Sequence, residues 1–311
     1  MTTERLGQPG HRPVLLDEVL EILRPGNNMM ILDATFGRGG HSCALLERGA
    51  DVLAFDRDPE AVAAAEILGR KRGDQRLKIR RGNFADLAAD NSLTGFFDGV
   101  LMDLGVSSPQ LDQASRGFSF QQDGPLDMRM DPDQSLSARE IVNQMGESDL
   151  ASLIRRLGEE PHARKIASHI VRERSVRPIE STLQLATLVD KAVGGRRGSK
   201  IHPATKTFQA IRIAVNAELE SLDAMLKCLP GLLKKGGRLA VISFHALEDR
   251  RVKEFITRHS EEEIRDGAYA FGRANPDYCL KKLGRWLPTE TEVKNNIRSR
   301  SARLRGAEKV L

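Results

Sequence analysis

Short apolar runs ending in aspartate recur along this chain. Met29-Met30-Ile31-Leu32 runs into Asp33, Val52-Leu53-Ala54-Phe55 into Asp56, and Gly99-Val100-Leu101-Met102 into Asp103. Leu77–Arg81 and Arg238-Leu239-Ala240-Val241-Ile242-Ser243 add two further runs of strand length. Helix-length spacers separate them, one opened by Pro59 and continuing through Ala61–Leu68. Continuous apolar strands alternating with helices predict an α/β fold with a parallel, doubly wound sheet. Before the last strand, Phe208, Ile211, Val215, Leu219, Leu222, Leu226 and Leu229 are spaced 3, 4, 4, 3, 4 and 3. That period predicts one amphipathic helix packed on the sheet.

Residues 104–237 lie between the Asp103 strand and the strand that starts at Arg238. A crossover needs a loop and one helix, so about a hundred residues are surplus, too many for a structureless loop. The expected organisation is a discontinuous domain of residues 1–113 and 213–311, with a helical domain inserted at 114–212. Ser148–Leu157 and Ala163–Arg174 read as helices of the insertion, and Gly194-Gly195-Arg196-Arg197-Gly198-Ser199 as an exposed segment. The tail Trp286–Leu311 is expected to rejoin the sheet or lie across it.

Between the first strand and the next helix stands Asp33-Ala34-Thr35-Phe36-Gly37-Arg38-Gly39-Gly40-His41-Ser42. Glycines there let the backbone bend tightly and approach a ligand, and Ser42 is a candidate cap for the helix. Two nucleotide patterns compete. The dinucleotide pattern G-x-G-x-x-G meets Ser42 at its third glycine. The S-adenosylmethionine pattern has its acid, Asp33, but Thr35 where a first glycine is common.

The carboxylates discriminate between them. Asp33, Asp56 and Asp103 each end a strand, and strand C-termini line the ligand crevice of such a sheet. Asp56 follows Asp33 at roughly the 20-residue interval expected of an acceptor for ribose hydroxyls. A pyrophosphate entering an acidic crevice meets repulsion, whereas a sulfonium and an ammonium are attracted. Methyl transfer is therefore favoured over hydride transfer. Phe84, just beyond the third strand, is either a platform for adenine or a plug in the core. His41 reads as a helix-start residue near the ligand.

Asp103-Leu104-Gly105-Val106-Ser107-Ser108-Pro109-Gln110 lies at the strand end where a methyl acceptor belongs. It loosely resembles the Asp/Asn/Ser-Pro-Pro-aromatic motif of exocyclic-amine methyltransferases. A cytosine amine is a weak nucleophile, and orienting it is worth roughly 7–11 kcal/mol. Ring-carbon methylation needs a cysteine nucleophile, and Cys43, Cys228 and Cys279 all lie elsewhere. The acidic run Asp123–Asp133 fails the calcium template, because Leu136 occupies the sixth position from Asp131. No metal is expected.

At 311 residues the chain can bury a substantial core. Its net charge of +5 is unevenly spread. Lys281–Arg305 holds eight Lys/Arg against Glu290 and Glu292, and Arg155–Arg177 holds seven against Glu159, Glu160 and Glu173. Such stretches suit a polyanion, with Arg298, Arg300, Arg303 and Arg305 as phosphate contacts. No apolar run approaches the roughly 20 residues of a membrane span, and Met1–Pro13 has no apolar stretch of a secretory signal. Three distant cysteines without a Cys-x-x-Cys pair point to a reducing cytoplasm.

Taken together, these residues resemble the ribosomal RNA small subunit methyltransferase H family. The likeness runs through His11–Leu16, Thr35–Ser42, Asp56-Arg57-Asp58-Pro59, Asp103–Gln110, Arg116–Phe120, Asp123–Asp131, Thr207–Ile213, Ser243–Arg250 and Arg300–Arg305. It implies a class I, Rossmann-like, S-adenosylmethionine-dependent methyltransferase sheet with an inserted helical domain for RNA recognition. It also implies action on the N4 amine of a decoding-site cytidine in 16S rRNA of the small ribosomal subunit. Cofactor contacts carry over to Gly40, His41, Ser42, Asp56, Phe84, Asp103 and Gln110. Ser107, Ser108 and Pro109 are our own candidates for receiving the amine. Ala246 departs from the serine usual after Phe-His. The rival readings are a dinucleotide-dependent oxidoreductase and a ribosome-assembly protein with a vestigial pocket. The oligomeric state stays open, a homodimer included.

Overall fold

The computed structural model describes residues 12–72, 75–195, 202–264 and 273–311. His11 and the segment 196–201 lie outside them. In chain order the first elements are α1 (Leu16–Leu23), β1 (Met30–Asp33), α2 (Gly40–Glu47), β2 (Asp51–Asp56), α3 (Pro59–Arg72), β3 (Leu77–Arg81) and β4 (Phe97–Asp103). Six helices follow: α4 (Ser108–Asp112), α5 (Ala138–Gln144), α6 (Glu147–Gly158), α7 (Ala163–Arg174), α8 (Thr182–Val193) and α9 (Ala204–Asn216). The chain then forms α10 (Glu218–Leu232), β5 (Leu233–Ser243), α11 (Ala246–Ser260), the short pair β6 (Glu263–Ile264) and β7 (Arg273–Ala274), β8 (Leu280–Trp286), α12 (Glu290–Asn295) and β9 (Arg303–Lys309).

The chain divides into two compact units, one reaching to Gly105 and resuming at Leu219, the other Val106–Glu218. In the first, seven strands form a sheet in the order β3-β2-β1-β4-β5-β9-β8. β1 to β5 are parallel, and the two tail strands β8 and β9 add antiparallel at one edge. Alternation along each strand sorts the apolar side chains onto two faces. Leu32, Leu53, Val100, Met102, Leu239 and Val241 face α10 and α11; Ile31, Val52, Leu101, Ala240 and Ile242 face α1, α2 and α3. The strand order reverses between β1 and β4, and the ligand crevice of such a sheet opens beyond their carboxyl ends.

The second unit is helical. Leu150, Leu153 and Ile154 of α6, Ile166 and Ile170 of α7, Leu185 and Val189 of α8, and Phe208 and Ile211 of α9 close one core. Two helices start on sequence-encoded capping boxes. Ser137 Oγ accepts from Arg139 N while Glu140 accepts from Ser137 N; Ser181 and Gln184 repeat the exchange at α8. Val106 and Leu111 pack on this core, so its boundaries lie outward of 114 and 212.

The periodic run from Phe208 to Leu229 is two helices, not one. Ala217 is left-handed at φ 46° and ends α9. Asn216 fixes the break: its amide donates to Met128 O at 2.8 Å and its carbonyl accepts from Met130 N at 2.8 Å. Phe208, Ile211 and Val215 therefore serve the helical core, while Leu222, Leu226 and Leu229 pack on the sheet.

Candidate active site

The turn after β1 is laced to its neighbours by short polar contacts. Ala34 N donates to Leu101 O at 2.9 Å, and Phe36 N to Phe55 O at 3.0 Å. Thr35 Oγ1 accepts from Asp103 N at 2.6 Å, joining the ends of β1 and β4. That hydroxyl gives a reason for threonine where a glycine is common. Gly37 and Gly39 have φ of 55° and 72°, and a Cβ on Gly39 would meet the Phe36 ring at 2.4 Å. Only glycine fits there without strain.

Asp33 is buried, accepting from Ser42 Oγ at 2.6 Å and from Thr35 N at 3.2 Å. Burial pushes its carboxyl above the usual range, against the pull of the Ser42 hydrogen bond. Ser42 is thus no helix cap. Gly39 holds the N-cap of α2, and Ser42 spends its hydroxyl on the strand-end acid.

Asp56 accepts from Gly37 N at 2.8 Å and from Asp58 N at 2.9 Å. Burial pushes its carboxyl up to about 6, although both backbone N–H groups oppose the shift. Its remaining lone pairs suit ribose hydroxyl donors. Asp103 lies with Oδ2 3.6 Å from His41 Nε2, and His41 is buried in the first turn of α2. Among the described residues, both His41 ring nitrogens and Asp103 Oδ1 are buried without a hydrogen-bond partner. Orphaned buried polar atoms are costly in a resting fold, and these three lie together at the switch point.

Gly40, His41, Ser42, Asp56 and Asp103 are thus drawn together around the ends of β1, β2 and β4. Phe84 opens a short 3-10 turn after β3 and packs against the sheet core, half-buried. Its neighbour Asn83 caps that turn through Ala85 N and donates to Ser221 Oγ of α10 at 2.7 Å. Ser107, Ser108, Pro109 and Gln110 belong to the helical unit. Ser107 is the N-cap of α4, its N–H donating to the buried Gln110 side chain at 2.9 Å; Ser108 and Pro109 form the first turn. The segment beyond the end of β4 therefore starts a helix. Thr35 and Gly37 act as ties, to Asp103 N and to Asp56, a role the glycine pattern alone does not show.

Two of the four expected phosphate contacts of the tail, Arg303 and Arg305, are engaged with a carboxylate. Arg305 donates to Asp249 at 2.6 Å and Arg303 to the same carboxylate at 2.9 Å. Burial opposes ionisation of Asp249, but the Arg305 and Arg303 guanidiniums hold its carboxyl below the usual range. The Arg305 side chain is only 14% exposed, so it serves the fold.

The sequence profile of the MraW methylase family matches residues 8–310.

The chain belongs to the MraW methylase family. Curated proteins named ribosomal RNA small subunit methyltransferase H resemble it over nearly full length. That of Alteromonas mediterranea is 49% identical over 96% of this chain and 97% of the relative. The protein from Thioalkalivibrio sulfidiphilus is 48% identical, covering 97% and 98%, and the one from Alcanivorax borkumensis 46%, covering 100% of each. A MraW methylase with this sheet is a class I methyltransferase, and its cofactor is S-adenosylmethionine. The residues fit that cofactor: unpartnered polar atoms at the switch point, two acids raised by burial, and a glycine turn held open against β2. Among the described residues no helix is long and apolar enough to cross a membrane.

Proposed function

We propose that this MraW methylase transfers a methyl group to the N4 amine of a decoding-site cytidine in 16S rRNA of the small ribosomal subunit. The observation that carries the reading is the clustering of Asp33, Asp56 and Asp103 at the carboxyl ends of β1, β2 and β4. S-adenosylmethionine supplies an electrophilic methyl group on a positively charged sulfur. The acidic rim favours that charge, and Asp56 is the acceptor for ribose hydroxyls. Gly40, His41 and Ser42 line the cofactor from the α2 side, Phe84 flanks the adenine, and Asp103 completes the seat. His41 and Asp103 gain the partners they lack in the resting fold.

Amine methylation needs orientation rather than a covalent nucleophile. Ser107, Ser108 and Pro109 are the proposed acceptor segment, the Ser107 and Ser108 hydroxyl oxygens accepting the N–H hydrogens of the amine. Burial raises the Cys228 and Cys279 thiols, the opposite of an activated nucleophile for ring-carbon chemistry. The target base leaves its stack to enter the crevice, at a cost of a few kcal/mol.

The test is transfer of a tritiated methyl group from S-adenosylmethionine to small subunits isolated without this modification. Label in 16S rRNA supports the reading. Binding of S-adenosylmethionine without transfer identifies a vestigial assembly protein instead, and calorimetric heat with nicotinamide dinucleotides identifies an oxidoreductase.

A further inference from the structure

Where α6 ends and α7 begins, the helical unit carries a basic hollow of about 510 Å³ lined by Arg155, Pro161, His162, Arg164 and Lys165. Its volume falls in the ~300–1,000 Å³ range of ligand sites, room for a nucleotide unit rather than a lone ion. Among the described residues, the side chains of Arg155, Arg164 and Lys165 take part in no hydrogen bond or ion pair. This contrasts with Arg129, bound to both oxygens of Asp127, and with Arg212, bound to both oxygens of Glu218. Of the two nearby acids, Glu160 is buried and accepts from His162 N at 2.8 Å, while Glu159 takes the left-handed C-cap position of α6 and is exposed.

The hollow also opposes the field of its own helix. Arg164 and Lys165 occupy the first turn of α7, which holds no acid. A helix start favours negative charge by about 0.3–1 kcal/mol per group, so two cations there are unfavourable until an anion joins them. The lining contains no Phe, Tyr or Trp ring and no carboxylate to read a base edge. It is suited to sugar-phosphate backbone, which Arg grips with a planar fork and Lys as a point charge.

We propose that this hollow holds the phosphodiester backbone of the RNA substrate, independently of its sequence, through Arg155, Arg164 and Lys165. The inference rests on the reading of RNA as the substrate, but its test does not depend on methyl transfer.

The experiment uses the full chain and the double variant Arg164→Ala/Lys165→Ala. These exposed side chains leave the helical core intact, and unchanged calorimetric affinity for S-adenosylmethionine checks that the other unit is intact. Binding of a fluorescent single-stranded RNA of mixed sequence is followed from 50 to 200 mM KCl. Each phosphate contact contributes a slope of about 0.7 in log K against log salt for single strands. The variant is expected to bind about 5–50-fold more weakly at 50 mM, with a slope lower by about 1–1.5, equally for purine-rich and pyrimidine-rich RNA. Wild-type affinity and slope would overturn the site. So would loss confined to one sequence, or equal competition by polyglutamate or by phosphatidylserine vesicles. Methyl transfer to small subunits, assayed at saturating substrate, is expected to keep its kcat while KM rises. An inactive wild-type protein would instead sink the proposed reaction and leave the RNA-binding result standing.

Discussion

Ser42 donates its hydroxyl to Asp33 across 2.6 Å, fastening the first turn of α2 to the last residue of β1. Both groups are buried, so the bond cannot be replaced by water without opening the turn. Ser42→Ala leaves the acid, among the described residues, with the Thr35 N–H as its donor and is expected to cost about 1–3 kcal/mol. Urea denaturation checks this; an unchanged midpoint would refute the tie.

Asp56 predicts a pH dependence. Its folded carboxyl is raised from 3.8 to about 6 by burial. Between those values the folded protein keeps a proton that the unfolded chain has released. The associated stability is complete below about pH 4 and is lost as pH rises through about 6, on the order of 3 kcal/mol. Asp33, raised in the same direction, adds to the trend. A cationic ligand favours the ionised acids, so S-adenosylmethionine binding is expected to release protons at pH 5.5 and none at pH 8. Calorimetry in buffers of different ionisation enthalpy measures this, and identical heats across buffers at pH 5.5 would contradict it.

Asp56→Ala removes the proposed ribose acceptor and the anchor of Gly37 N. Affinity for S-adenosylmethionine is expected to fall about 10–100-fold, the worth of one to two charged hydrogen bonds. Wild-type affinity would remove Asp56 from the seat.

Asp249 neutralises two guanidiniums. Asp249→Ala leaves Arg305 nearly buried without its carboxylate and is expected to destabilise the sheet unit by about 3 kcal/mol. Thermal unfolding measures it, and Arg303→Ala, at a half-exposed position, should cost far less.

The parallel strands and their terminal acids were legible because buried strands are continuous apolar runs that turns must end. The break at Ala217 was not. The apolar period continues across it unbroken, and what stops the helix is Asn216 reaching Met128 and Met130, far away in sequence. Ala217→Gly tests this: relief of the left-handed φ is expected to raise stability by up to about 1 kcal/mol. Ser42 misleads for a related reason, since a serine near a helix start reads as a cap until a buried partner claims its hydroxyl. Likewise, Arg303 and Arg305 look free in sequence because Asp249 meets them only through the β5–β9 pairing and the helix after β5.

The most direct measurement is nucleoside analysis of 16S rRNA after tritiated-methyl transfer to unmodified small subunits. The account predicts label in N4-methylcytidine at a single decoding-site position. Label in 5-methylcytidine, on a ribose, or absent from RNA altogether would contradict it.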